Sequence, residues 1–224
     1  MPSFEEYFND WLKVIDRQEL LKMVRWLKTV DNNLLCPTVD KVFKAFELCP
    51  YNNCYAVFIS QDPYPQKGRA TGIAFGNSND IPKSKLSPSL RIIKDSVINL
   101  EIPHNIITFD QSLESWAKQG ILMLNSALTC EVGKVNSHVN IWRPFMTKFI
   151  RNLSTRMKGL VYVLFGNQAQ SLEPCIMDGN FVFKVEHPAY FARLNKDMPS
   201  DVFIKVNDLL KKYYNIKINW YEER

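Results

Sequence analysis

Three polar side chains stand at or just past the ends of short apolar runs. They are Asp62 in Gln61-Asp62-Pro63-Tyr64-Pro65, Asn125 closing Leu122-Met123-Leu124-Asn125, and His187 opening His187-Pro188-Ala189-Tyr190-Phe191. A fourth run gives way to Gly166-Asn167. A carboxylate offers a fixed anion, an imidazole donates or accepts near neutral pH, and an amide presents a donor beside an acceptor. Gathered on one rim, these groups have the composition of an active site rather than of a packed edge. Singly, each has an ordinary reading. Asp-Pro-Tyr-Pro is turn chemistry, Asn125 suits a cap, and a histidine ending a strand is more often scaffold than catalyst. The five cysteines are odd in number and lack Cys-x-x-Cys spacing, so reduced thiols are expected, with neither a disulfide framework nor a metal site.

The elements that must position these residues follow from periodicity. Residues 55–60, 120–125, 160–165 and 181–186 are continuous apolar runs of strand length, predicted to be buried on both faces. Helical spacing recurs between them, at Leu90, Ile93, Val97 and Leu100 and again at Trp142, Met146, Phe149, Ile150 and Leu153. The same period predicts an opening helix through Phe4, Tyr7, Phe8, Trp11, Leu12 and Ile15, and a closing one through Val202, Phe203, Val206, Leu209, Leu210 and Tyr213. The alternation predicts an α/β fold: one domain over residues 1–224, with a central four-stranded parallel sheet flanked by helices on both faces. Open parallel sheets bind ligands beyond the carboxyl ends of their strands, where the polar residues fall.

At 224 residues and 46% apolar, the chain can bury one core unaided. Its net charge of +5 suits a polyanionic partner without requiring one. No segment approaches the roughly 18 apolar residues of a membrane span, and the N-terminal stretch has no cationic lead into an apolar run. A cytoplasmic protein is expected, or a nuclear one in a eukaryotic or viral setting. No glycine-rich phosphate loop follows any strand, which removes support for a nucleotide-binding doubly wound protein.

The ordered motifs resemble those of the family 1 uracil-DNA glycosylases. Ser60-Gln61-Asp62-Pro63-Tyr64-Pro65 is similar to the family's water-activating Gly-Gln-Asp-Pro-Tyr-His loop, and Gly72-Ile73-Ala74-Phe75 to the segment ending in its base-stacking phenylalanine. Ser87-Pro88-Ser89-Leu90 resembles the Pro-rich loop, Leu122-Met123-Leu124-Asn125 the Leu-Leu-Leu-Asn strand end, and His187-Pro188-Ala189-Tyr190-Phe191 the His-Pro-Ser-Pro-Leu loop. Asn136-Ser137-His138, residues 164–170 and Ile218-Asn219-Trp220 continue in register. Four positions depart from the pattern: Ser60 for glycine, Pro65 for histidine, Asn167 for serine, and Phe191 for the leucine that fills the hole left by a flipped base.

The resemblance implies excision of uracil from DNA without cofactor or metal, with Asp62 facing the sugar and orienting water while neutral His187 donates to uracil O2. It implies substrate contacts from Gln61, Tyr64, Phe75 and Asn125: Asn125 pairs with N3 and O4, Tyr64 crowds C5, and Phe75 stacks. DNA contacts fall to Ser87, Ser89, Gly166, Asn167, Phe191 as wedge, and Arg193, with Lys67, Arg69, Lys83 and Lys85 flanking. His138 is expected to brace the loop after Asn125. The expected partners are uracil-containing DNA, single- and double-stranded, acted on by a monomer, with a proteinaceous glycosylase inhibitor a further candidate. Two other functions stay open. A non-catalytic binding module is disfavoured by the intact Asp62, Asn125 and His187, and a glycosylase for mismatched or bulkier bases is disfavoured by Tyr64.

Overall fold

The four apolar runs form one parallel sheet in the computed structural model, which describes residues 4–98, 100 and 107–223. The strands are β1 (Ala56–Ser60), β2 (Ile121–Asn125), β3 (Val161–Phe165) and β4 (Phe181–Val185), in spatial order β2-β1-β3-β4. Each lies within one residue of its predicted bounds. The longer helices are α1 (Arg17–Leu27), α2 (Pro88–Ile98), α3 (Val139–Arg156), α4 (Pro188–Leu194) and α5 (Asp201–Tyr214).

Side chains alternate along each strand, so the sheet carries two separate cores. Val57, Ile59, Leu122, Leu124, Tyr162 and Leu164 face α1, α3 and the N-terminal turns, meeting Leu20, Trp142 and Phe149. Ala56, Phe58, Ile121, Met123, Val161 and Val163 face α2 and α5, meeting Leu90, Trp116, Phe203 and Trp220. Strands β1, β2 and β3 are buried along their whole length, whereas β4 is only partly buried. Its apolar run is predicted to be buried on both faces; instead Lys184 is exposed and the other four residues are only partly covered.

The opening helix also differs from expectation. Helix ends at Phe8, Asn9 takes a left-handed φ of 42°, and a 3-10 turn covers Asn9–Lys13. Apolar spacing recorded which residues face the core, Phe8 and Trp11 among them, but could not register this break. Among the described residues, no helix is long and apolar enough to cross a membrane.

Candidate active site

The paired strands β1 and β2 end together, with Ser60 opposite Asn125 in the register. The chain beyond Ser60 is laced to the segment following Asn125. Ser126 N–H donates to Ser60 O at 2.9 Å, Ser126 Oγ to Gln61 O at 2.6 Å, Cys130 Sγ to Pro63 O at 3.3 Å and Gly133 N–H to Pro65 O at 2.9 Å. Four carbonyls of the Asp62 loop are thus fixed by one neighbouring segment. That segment then returns Asn136, whose left-handed φ of 61° turns its backbone N–H onto Asp62 Oδ2 at 2.6 Å. Gln61 Nε2 donates to Asn136 Oδ1 at 2.9 Å and closes the ring of contacts. Burial pushes the Asp62 pKa above the usual carboxylate value, and the Asn136 N–H and the Gln61 side chain oppose it.

His187 reaches Ser60 across the end of β3, and Gly166 makes the crossing possible. Gly166 has φ +80°, and a Cβ there would come within 2.9 Å of His187 Cβ. His187 is the N-cap of α4, with Pro188 at the first helical position. Its Nδ1 accepts the Ala189 N–H at 3.1 Å, which leaves the proton of a neutral ring on Nε2. Nε2 faces Ser60 Oγ at 3.2 Å. Burial first, then the Arg193 charge, lowers the His187 pKa from the usual 6.5 to about 4. The ring at neutral pH is therefore an uncharged donor aimed into the site.

A cavity of about 330 Å³ opens between these groups, lined by Asp62, Tyr64, Phe75, Asn125, His187 and Arg193 among others. Phe75 holds a left-handed φ of 64°, an uncommon conformation for a phenylalanine, which fixes its ring edge-on to Phe165 at 5.1 Å and 5.6 Å from His187. Asn125 Oδ1 is buried without a hydrogen-bond partner among the described residues. A larger hollow of about 820 Å³ lies between α5 and the C-terminal tail, and none of these residues lines it. Among the described residues, no cluster of His, Cys, Asp and Glu could hold a metal ion, and the five cysteines are buried free thiols.

The residues expected on DNA divide. Asn167 and Arg193 are exposed, and Ser89, although buried, borders the cavity. Ser87 differs from expectation: it is 2% exposed and its hydroxyl is bonded inward to Tyr64 and Asn77. The segment read as a loop after His187 is the helix α4. It holds Phe191 half-buried against the α5 core, edge-on to Tyr190, while Tyr190 and Leu194 stand exposed. His138 braces as expected, with Nδ1 at 3.0 Å from Thr129 Oγ1.

The profile described as the Uracil DNA glycosylase superfamily matches residues 46–211. The chain belongs to that superfamily. A uracil-DNA glycosylase of Campylobacter jejuni is 36% identical over 223 residues, 95% of this chain and 93% of its own length. One from Mycoplasmopsis pulmonis is 34% identical, covering 84% of each chain. The fold is shared with mimivirus uracil-DNA glycosylase at a TM-score of 0.75 and 20% identity, over 97% of this chain and 91% of that one. Within this uracil-DNA glycosylase framework, sequence reasoning missed the parts played by Ser60, Asn77 and Asn136. Asn136 carried a usable signal, since asparagine tolerates left-handed backbone. The other two act through contacts that no local pattern encodes.

Proposed function

We propose that Asp62 and His187 divide between them the hydrolysis by which this superfamily member releases uracil from DNA and leaves an abasic site. Breaking the glycosidic bond sends its electron pair out with the base and leaves positive charge on the deoxyribose. Asp62 offsets that charge and orients the water that adds to C1′; the proton that the water loses passes to the Asp62 carboxylate, while the base departs as its anion with the bonding electron pair. His187 donates Nε2–H to uracil O2, exchanging its contact with Ser60 for one with the departing anion. No step charges the imidazole, in keeping with its lowered pKa.

One observation carries the reading: the orphaned Asn125 Oδ1, buried beside the cavity. An unpaired buried acceptor costs about 1–3 kcal/mol, a cost that a ligand donor removes. Uracil N3–H supplies that donor and O4 accepts from Nδ2, whereas cytosine presents the opposite pattern and leaves both atoms unmatched unless the amide turns over. Phe75 stacks on the ring and Tyr64 stands against C5. Ser89, the Gly166 backbone, Asn167 and Arg193 hold phosphates of single- or double-stranded DNA. Ser87 is left out of this set, because its hydroxyl is committed inward. The protein works as a monomer in this reading. One neighbouring solved structure is a mimivirus enzyme variant in complex with UGI, which supports testing the same inhibitor here.

The test incubates the protein with uracil-containing and matched thymine-containing oligonucleotides in EDTA and then cleaves abasic sites with alkali. Scission confined to the uracil strand is expected, and scission of neither strand overturns the reading.

A further inference from the structure

The Tyr64 hydroxyl sits in a chain of hydrogen bonds that none of the roles above uses. Asn77 Nδ2 donates to Ser87 Oγ at 3.1 Å, Ser87 Oγ donates to Tyr64 Oη at 2.5 Å, and Tyr64 Oη donates to Phe75 O at 2.9 Å. An amide nitrogen can only donate and a carbonyl can only accept, so the ends of the chain fix both hydroxyl protons in one arrangement. The chain is anchored as well. Ser87 N–H returns to Asn77 Oδ1 at 2.9 Å, Asn77 N–H donates to Gln111 O at 2.8 Å, and Gln111 Nε2 pins Ser78 O and Ile81 O at 2.8 Å each. Asn77 is fully buried. The other side of the Tyr64 ring rests on Cys36, Ala70 and Cys130.

We infer that Asn77 and Ser87 are positioning residues for base selection, holding the Tyr64 ring so that it cannot retreat from a substituent at C5. The inference rests on the reading that places Tyr64 against uracil C5. Shape exclusion by a single ring is only as sharp as the ring is stiff, since a methyl group differs from hydrogen by little more than an ångström of reach. A tyrosine held by packing alone could tilt by that amount. Here the hydroxyl end is clamped, and it is clamped to the carbonyl of Phe75, the residue proposed to stack on the same base. The two aromatic walls are therefore set relative to each other through one oxygen atom. Ser87 supplies the incoming proton and Asn77 orients Ser87, although neither reaches the cavity itself.

The experiment measures single-turnover excision of uracil, 5-fluorouracil, 5-bromouracil and thymine from single-stranded oligonucleotides. Each variant is compared with the parent on the same base, so that differences in leaving-group chemistry cancel. Ser87→Ala deletes the bridging hydroxyl but keeps the backbone bond to Asn77. It is expected to raise excision of the 5-bromo and 5-methyl bases relative to uracil by roughly three- to tenfold, the value of about one hydrogen bond, with 5-fluorouracil unmoved. Asn77→Ala is expected to move the ratio the same way, and Ser87→Thr, which keeps the hydroxyl, to restore it. Tyr64→Phe removes the chain from its other end, so it should loosen selection by itself and leave Ser87→Ala nothing to add. It also provides the answer if Asn77→Ala fails to fold. A uniform loss across all four bases, or an undiminished Ser87→Ala effect in the Tyr64→Phe background, overturns the inference. Tyr64→Ala separates the two levels. If it gains thymine excision while Ser87→Ala and Asn77→Ala do not, the positioning role fails and the contact with C5 stands. If it gains none, both fall.

Discussion

Asp62 and His187 are burdened in opposite senses by the same cavity, and each direction has a measurable consequence. The folded state raises the Asp62 pKa, so it penalises the ionised carboxylate at neutral pH. Asp62→Asn is therefore expected to unfold at or above the parental temperature while single-turnover excision falls by roughly two orders of magnitude or more. A well-folded variant with near-parental excision would contradict the assignment. For His187 the folded value is lowered to about 4. Its contribution to stability is full above the usual 6.5 and drains away as the pH falls toward 4. Ring nitrogen NMR at pH 6 should show a neutral imidazole protonated on Nε2, and titration near 6.5 would refute the proposed geometry. At this scale Asp62, Asn125 and His187 were legible, because a polar residue closing an apolar strand marks a sheet's binding rim. Ser60 against His187 was not: 127 positions separate them, and only the passage of one loop over β3 brings them together.

The elements that deliver those residues are sensitive at two places. Gly166→Ala would put a methyl group within 2.9 Å of His187 Cβ and force an alanine to φ +80°. The backbone conformation alone costs about 1–2 kcal/mol, or roughly 2–8 °C in a domain of this size. Excision should fall much further than that modest destabilisation accounts for, since the displaced imidazole no longer faces the leaving base. Parental excision at a lowered melting temperature would show that Gly166 serves the backbone alone. The second place is α4. Phe191 is packed and Tyr190 is exposed, so Phe191→Ala is expected to lower the melting temperature and slow excision equally from single strands and duplexes. Tyr190→Ala should slow the duplex reaction more, because only there must a gap be filled. The reverse pattern would return the wedge to Phe191. Strand boundaries were readable because buried parallel strands are uninterrupted apolar runs. Helix α4 was read as a loop because its seven residues are too few to display a period, although Pro188 at its first position was in plain view.

Across the whole molecule, the α/β architecture follows from the alternation of strand runs and helical spacing, and the four-stranded sheet carries a core on each face. The register that sets Ser60 opposite Asn125 has a consequence for how the molecule comes to life. Residues 62, 125 and 187 are separated by about sixty positions each, and the three pairings of the four-stranded sheet are parallel, so no hairpin brings these three residues together. Long-range parallel pairings form slowly, because chain entropy must be lost before the contacts repay it. After dilution from denaturant, helical circular dichroism should recover ahead of uracil excision, and the lag should be first order in protein. Activity regained in step with the earliest helix signal would mean that the site forms before the sheet. A helical but inactive chain is thus the expected transient, and enzymatic turnover is the last property that refolding returns.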